Sequence, residues 1–310
     1  MEYGPVSRRK LLKLALTLPA MALMSGAGSS QRLLARPIPK SGESIPAIGL
    51  GTWQAFDIAG NASARAEAAQ ALQRFVQLGG KLIDSSPMYG SAESAVGEIS
   101  KELSVHEQLF MATKVWIRGR EAGIRQMEES MRRMRLTHNR PLDLMQVHNL
   151  VDAKTHLAVL RDWKAAGRIR YLGITHYHES AYAELEQLIR NTDLDFVQLN
   201  YSLAERSADA RLLGIAADTR TAVIVNRPFA EGAMFRRVRD KPLPGWAAEF
   251  GCASWAQFFL KWILSHPAVT CAIPGTRSAR HVDDNLGAGL GRLPDETTRR
   301  KMARHFDALI

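Results

Sequence analysis

Cysteine is scarce: two residues in 310 leave no disulfide framework and no four-cysteine metal centre. Long hydrophobic runs are missing too. The apolar stretch Leu14 to Met24 spans eleven residues and is interrupted by Pro19, against the roughly 20 residues a membrane-spanning helix needs. Glycine has no fixed period, which excludes a fibrous chain, and a 46% hydrophobic content excludes a disordered one. No dense Lys/Arg run with interleaved aromatics is present, so nucleic acid is not an expected partner. Net charge is +10, but residues 1–40 supply +6 of it, leaving a mildly basic +4 on the remainder, a bias that suits an anionic ligand.

The basic N-terminus has its own pattern. Arg8 and Arg9, then Lys10 and Lys13, precede the apolar stretch, and the small residues Ser25-Gly26-Ala27-Gly28 follow it. That order describes an export signal, and the paired arginines resemble the twin-arginine type, which carries folded proteins. The expectation is a signal peptide over residues 1–27, a linker over 28–44, and the twin-arginine export machinery as a partner, with a periplasmic location. A basic amphipathic or disordered terminus, and a cytoplasmic enzyme, is the alternative.

From residue 45 the chain alternates. Apolar runs at Ile45–Leu50, Lys81–Asp84, Leu109–Val115, Leu142–Val147, Tyr171–Ile174, Asp195–Leu199, Ala222–Val225 and Val269–Ile273 are separated by helix-forming stretches. Ala64–Leu78, Glu121–Leu136, Lys154–Ala166 and Ala181–Ile189 place apolar residues three and four apart, as at Ala68, Leu72, Phe75 and Val76. Short apolar runs between helices predict parallel strands buried on both faces. Eight such units in about 250 residues predict a single-domain α/β fold, a (β/α)₈ TIM barrel over residues 45–310. An open doubly wound sheet would carry a glycine-rich turn after its first strand, and none is present. Gly287-Ala288-Gly289-Leu290-Gly291 follows a helical pattern and reads as a helix stop.

In such barrels chemistry sits where the strands end. Polar residues stand at or just past the ends of the runs: Asp84, Lys114, His148, Thr175 with His176, Gln198 with Asn200, Asn226 with Arg227, and Gly275-Thr276-Arg277. Asp84, Tyr89, Lys114 and His148 fall on consecutive units. A tyrosine hydroxyl has an ordinary pKa of about 10, and an adjacent ammonium lowers it. A carboxylate behind the lysine would hold it charged. Such a phenol could protonate an oxygen gaining charge as a hydride arrives at its carbon.

The motifs now become specific. Ile48-Gly49-Leu50-Gly51-Thr52-Trp53, the run Leu82 to Glu93 (LIDSSPMYGSAE) with Gly97-Glu98, Ala112-Thr113-Lys114-Val115-Trp116, Leu142 to His148 (LDLMQVH), and Ile273 to Ser278 (IPGTRS) with Asp284 to Ala288 (DNLGA) occur in order. Over nearly all of residues 45–290 the chain resembles the aldo-keto reductases. That resemblance implies an NADPH-dependent oxidoreductase that reduces an aldehyde or ketone. It implies Tyr89 as general acid, Lys114 and Asp84 tuning it, and His148 orienting a small-molecule carbonyl substrate. It implies cofactor contacts from Thr52, Thr175, His176, Gln198, Asn226, Gly275, Thr276, Arg277, Asp284 and Asn285. Arg277 would take the 2′-phosphate bidentately, and Trp53 and Trp116 would line the substrate pocket.

Two departures stand out. The family usually has Ser-Asn where this chain has Thr175-His176. Many members stack an aromatic on the nicotinamide at the end of the seventh strand, where this chain reads Asn226-Arg227-Pro228-Phe229. Arg227 is instead a candidate for the pyrophosphate. His176 and His178 are two residues apart, but no third ligand is evident, so no metal is expected. Two other readings stand beside reduction. One is an NADPH-binding, redox-sensing regulatory subunit with little turnover. The other is a barrel that uses Lys114 as a Schiff-base lysine.

Overall fold

The computed structural model describes residues 1–2, 32–137 and 139–309. The expected export signal therefore lies, past its first two residues, outside the described residues. Residues 32–310 form one compact unit.

A short antiparallel hairpin, β1 (Ala35–Pro37) and β2 (Ser44–Pro46), precedes eight parallel strands. These are β3 (Leu50–Gly51), β4 (Leu82–Asp84), β5 (Phe110–Val115), β6 (Leu142–His148), β7 (Ile169–Thr175), β8 (Phe196–Asn200), β9 (Ala222–Asn226) and β10 (Val269–Ala272). Neighbours pair in chain order. Parallel bridges Ile48 to Ala272 and Gly51 to Gly275 join the two ends, with Gly49 N donating to Ala272 O at 2.8 Å and Ala272 N donating to Ala47 O at 2.9 Å. The (β/α)₈ barrel read from the alternation is the observed fold. Gly49 lies at this seam because a Cβ there would meet the Leu82 carbonyl at 2.8 Å.

The helices are α1 (Ala62–Gln77), α2 (Ala92–Glu102), α3 (Arg120–Arg133), α4 (Ala153–Ala165), α5 (Tyr182–Asn191), α6 (Leu212–Asp218), α7 (Ala233–Arg237), α8 (Trp255–Leu264), α9 (Ala279–Gly287) and α10 (Glu296–Ala308). Local signals set several boundaries. Asn61 Oδ1 accepts from Ala64 N to start α1, and Ser254 and Asp295 cap α8 and α10 in the same way. The buried face of α1 is Ala68, Ala71, Leu72 and Phe75, the three-and-four spacing seen in the sequence.

Side chains on each strand alternate between the helices and the barrel interior. The interior cluster is Leu82, Phe110, Ala112, Leu144, Tyr171, Phe196, Ala222, Ile224, Cys271 and Ile273, with Ile38 and Ile45 from the hairpin. Further along six of the strands the inward position turns polar: Asp84, Lys114, Gln146, Gln198 and Asn226 two residues on, and Thr175 four residues past Tyr171, with Gly173 between them. An apolar lower barrel beneath a polar upper ring is what aims the chemistry at one mouth.

The hairpin corrects two expectations. Residues 28–44 do not form a simple linker over their described part, and Ile45–Leu50 is not one strand. Pro37 and Pro46 confine the hairpin strands to three residues each, and Ile38 and Ile45 turn into the barrel floor. Tyr171, inside the barrel, donates its hydroxyl toward Ser41 and Glu43 of the hairpin tip.

If the hairpin is a packed floor, Ile45→Ala should lower unfolding free energy by about 2–5 kcal/mol, the cost of truncating a buried isoleucine. Chemical denaturation measures it; a loss below about 0.5 kcal/mol, as at a surface position, would contradict the assignment.

Candidate active site

β4 ends in Asp84 and β5 in Lys114 and Val115, so parallel pairing brings their last inward side chains together. Lys114 Nζ donates to Asp84 Oδ2 at 2.5 Å and to Ser85 O at 2.7 Å, and both ionic side chains are almost wholly buried. The carboxylate's other oxygen, Oδ1, accepts from Gln146 Nε2 and from Gln198 Nε2, each at 3.0 Å. Burial alone would push the Lys114 ammonium down, but Asp84 and Tyr89 outweigh it and the net shift is upward. Lys114 is thus held as an ammonium by Asp84, which disfavours its use as an amine nucleophile.

Tyr89 follows β4 in a turn closed by its N–H donating to Ser86 O. Lys114 Nζ lies 5.1 Å from the centre of its ring. Burial is the largest influence on the phenol and raises its pKa; the Lys114 charge pulls it back, and the Asp84 charge adds to the rise. The sequence suggested a phenol made more acidic by lysine. In the structure burial wins, so the hydroxyl keeps its hydrogen through neutral pH.

His148 ends β6 beside Thr175 in register, edge-on to Tyr89 with ring centres 5.9 Å apart. Its Nδ1 shares a 3.0 Å hydrogen bond with Ser86 Oγ. Ser86 Oγ also accepts from Met88 N at 3.4 Å. Burial, then the charges of Lys114 and His176, push the imidazole down to about 2, so His148 is a neutral donor. Trp116 lies 6.3 Å away, ring to ring, and Trp53 and Trp116 are both partly open at the rim.

The expected cofactor residues divide. Thr175 Oγ1 and Asn226 Nδ2 donate to Gln198 Oε1 at 3.1 and 3.3 Å, a continuous belt from the Asp84 site across β7, β8 and β9. His176 stacks on Tyr177, centres 5.4 Å apart, and its Nδ1 accepts from His178 N. Thr52 is buried with its hydroxyl donated to Asp84 O and Ser85 Oγ, so it fastens β3 to β4. Gly275 forms the seam with Gly51.

Thr276, Arg277, Asp284 and Asn285 lie apart from the belt, on the turn after β10 and on α9. Arg277 Nε donates to Glu67 at 2.9 Å with both side chains about half exposed. Asp284 accepts from Ser254 and Gln257 and ties α9 to the start of α8, while Asn285 is buried in α9. Arg227 is partly buried: it donates to Tyr177 O and pairs with Glu205 and Glu231 at 3.3 Å each. A cavity of about 630 Å³ lies elsewhere, on the flank by α4 and α5, and meets none of the four central residues. Among the described residues no three His, Cys, Asp or Glu are grouped to hold a metal.

Sequence reading did not single out Ser86, Gln146 or Glu93. Gln146 carried a signal, since it interrupts an apolar run two residues before His148 and so shares its face. Glu93, fully buried and accepting from Thr113 at 2.6 Å, joins α2 to β5.

A model of the aldo/keto reductase family matches residues 47–301. The chain belongs to the aldo/keto reductase family. This aldo-keto reductase is 30% identical over 249 residues to the methylglyoxal reductase YeaE of Escherichia coli (strain K12), covering 78% of this chain and 84% of that protein. Its fold is shared with an aldo-keto reductase from Klebsiella pneumoniae solved in complex with NADPH, at a TM-score of 0.71 and 24% identity, over 89% of this chain and 95% of that one. A further structure from the same organism, with NADP and acetate, matches at TM-score 0.71 and 23% identity over the same shares of the two chains. Membership makes the chain an NAD(P)H-dependent oxidoreductase.

His148 gives a measurable consequence. An unfolded histidine takes a proton at a pH of about 6.5, whereas the native imidazole refuses it until about 2. Its contribution to stability is therefore present above pH 6.5 and is lost as pH falls below it, at up to about 1.4 kcal/mol per unit. His148→Asn should flatten unfolding free energy against pH between 6.5 and 4, and the native imidazole should show no NMR titration in that window.

Proposed function

We propose that this aldo-keto reductase uses NADPH to reduce an aldehyde or ketone, with Tyr89 as the general acid. The observation that carries this reading is the buried group in which Tyr89 faces both the Lys114 ammonium and the His148 imidazole.

The residues present suit the cofactor. Asn226 Oδ1 is a buried acceptor with no hydrogen-bond partner among the described residues, suited to the N–H of a nicotinamide carboxamide. Thr175 and Gln198 complete that side. Arg277 is held only by a half-exposed pair with Glu67, a weak contact, so its guanidinium can exchange the carboxylate for a 2′-phosphate. Bound there, NADPH would supply the hydride to the carbonyl carbon.

The protein does the rest. His148, neutral and carrying its hydrogen on Nε2, donates to the carbonyl oxygen and fixes its position. Tyr89 transfers its proton to that oxygen as negative charge develops, and the ammonium of Lys114 stabilises the phenolate left behind. Asp84 keeps Lys114 charged while this happens. Burial serves the acid role, because a phenol with a raised pKa is fully protonated when the substrate arrives.

The rim supports a substrate with an apolar body. Trp53, Met88, Trp116, Ile117 and Tyr177 are all exposed, and all lie on connections that follow the C-terminal ends of barrel strands. Exposed apolar surface gathered at one mouth marks a binding site.

A panel of aldehydes tested with wild type and Tyr89→Phe examines the assignment. Turnover should fall by roughly 10²-fold or more, the scale of lost general acid catalysis, with NADPH affinity nearly unchanged. Equal turnover in the two proteins would refute the role of Tyr89, and bound NADPH with no turnover in wild type would favour a regulatory subunit. In the same binding assay Arg277→Ala should weaken NADPH far more than NADH; equal weakening would count against the 2′-phosphate contact.

A further inference from the structure

We propose that Gln146 is a positioning residue. With Gln198 it clamps the free oxygen of Asp84, and it decides which end of the Gln198 amide faces the nicotinamide side of the mouth. This deepens the reading of the site as an NADPH-dependent reductase and rests on it for the cofactor.

Gln146 is fully buried on β6 and stands beside Lys114 in the β5–β6 register. Asp84 Oδ2 is taken by Lys114, so only Oδ1 remains for other donors. An ionised carboxylate accepts hydrogen bonds and donates none, so any amide touching Oδ1 must present its NH₂. Gln146 and Gln198 both reach Oδ1 at 3.0 Å, and both are thereby oriented. The carbonyl of Gln146 then takes the second hydrogen of Gln198 at 3.2 Å. With both Gln198 hydrogens committed, its own oxygen turns the other way, where Thr175 and Asn226 donate to it. Toward a carboxamide group Gln198 is an acceptor only. No other arrangement of the two amides satisfies all five bonds.

Removing Gln146 has two effects. Asp84 loses a donor that stabilises its charged form, which weakens its hold on the Lys114 ammonium beside Tyr89. Gln198 loses the acceptor that fixed its second hydrogen and is free to turn over.

The full-length protein carrying Gln146→Met or Gln146→Glu separates this from simple packing. Methionine keeps the volume and removes both polar ends. A protonated glutamic acid keeps one donor for Asp84 and one acceptor for Gln198, whereas its ionised form sets a second carboxylate against Asp84. Burial beside Asp84 raises the pKa of that carboxyl into the working range. For Gln146→Met, kcat should fall about tenfold at every pH, the scale of one hydrogen bond to a charged group. For Gln146→Glu, kcat should be near wild type at pH 5.5 and at least tenfold lower at pH 8.5. NADPH affinity, read by equilibrium fluorescence titration without substrate, should weaken at every pH in the methionine variant, which leaves the second Gln198 hydrogen without an acceptor, and stay near wild type in the glutamate variant, which keeps an acceptor in both of its forms.

Parallel pH profiles for the two variants, or both within twofold of wild type throughout, overturn the proposal. If Gln146→Met fails to fold, the glutamate variant compared with wild type at the two pH values decides. If wild type reduces no carbonyl compound the reductase reading fails by itself, and the affinity titration alone still decides the clamp: a loss in the methionine variant that the glutamate variant does not share supports it, and equal affinities in the two variants sink it.

Discussion

Everything at the barrel mouth leans on the ion pair between Asp84 and Lys114. Two opposite charges taken wholly out of water are costly, and their attraction offsets that only when the remaining hydrogen-bonding capacity is filled. Here it is filled with care. Lys114 has Asp84 and the Ser85 carbonyl, and Asp84 has the ammonium on one oxygen and two side-chain amides on the other. Removing one member would strand the others, so the group behaves as a unit and fixes the ends of β4, β5, β6 and β8 relative to one another.

That requirement explains the zoning of the barrel. Aromatic rings fill the lower interior, with Phe110, Tyr171 and Phe196 in mutual contact at 5.5 to 6.1 Å. Above them polar groups form a hydrogen-bonded belt from Asp84 to Asn226, and its one open acceptor among the described residues, Asn226 Oδ1, lies at the end of that belt. Tyr89 sits above the belt, where two influences oppose each other: burial holds its proton on, and the ammonium makes its departure affordable. A group balanced in this way is neutral at rest and stabilised once ionised.

Much of this was legible in the chain. The alternation of apolar runs and helical stretches yields the barrel because parallel strands need both faces covered. The position of Asp84, Lys114 and His148 at run ends yields the mouth because the strands are parallel and all end on one side. The floor hairpin was not legible, since two three-residue strands bounded by prolines leave no periodic signal. The contacts of Thr52 to β4 and of Asp284 to the start of α8 were not legible, because they are long-range and spacing does not encode them. Arg227 pairs with Glu231, a local i,i+4 contact, and with Glu205, which only the fold brings to it. Gln146 could have been found by extending the period-two argument one residue pair below His148.

The hairpin also sets a limit at the other end of the barrel. Leu34 donates its N–H to Gly289 and accepts from Ala47, so the chain is stitched to the body of the protein from that residue on. Proteolytic trimming that stops short of it spares the seal, whereas a cut only a few residues later would uncork the aromatic interior to water from below.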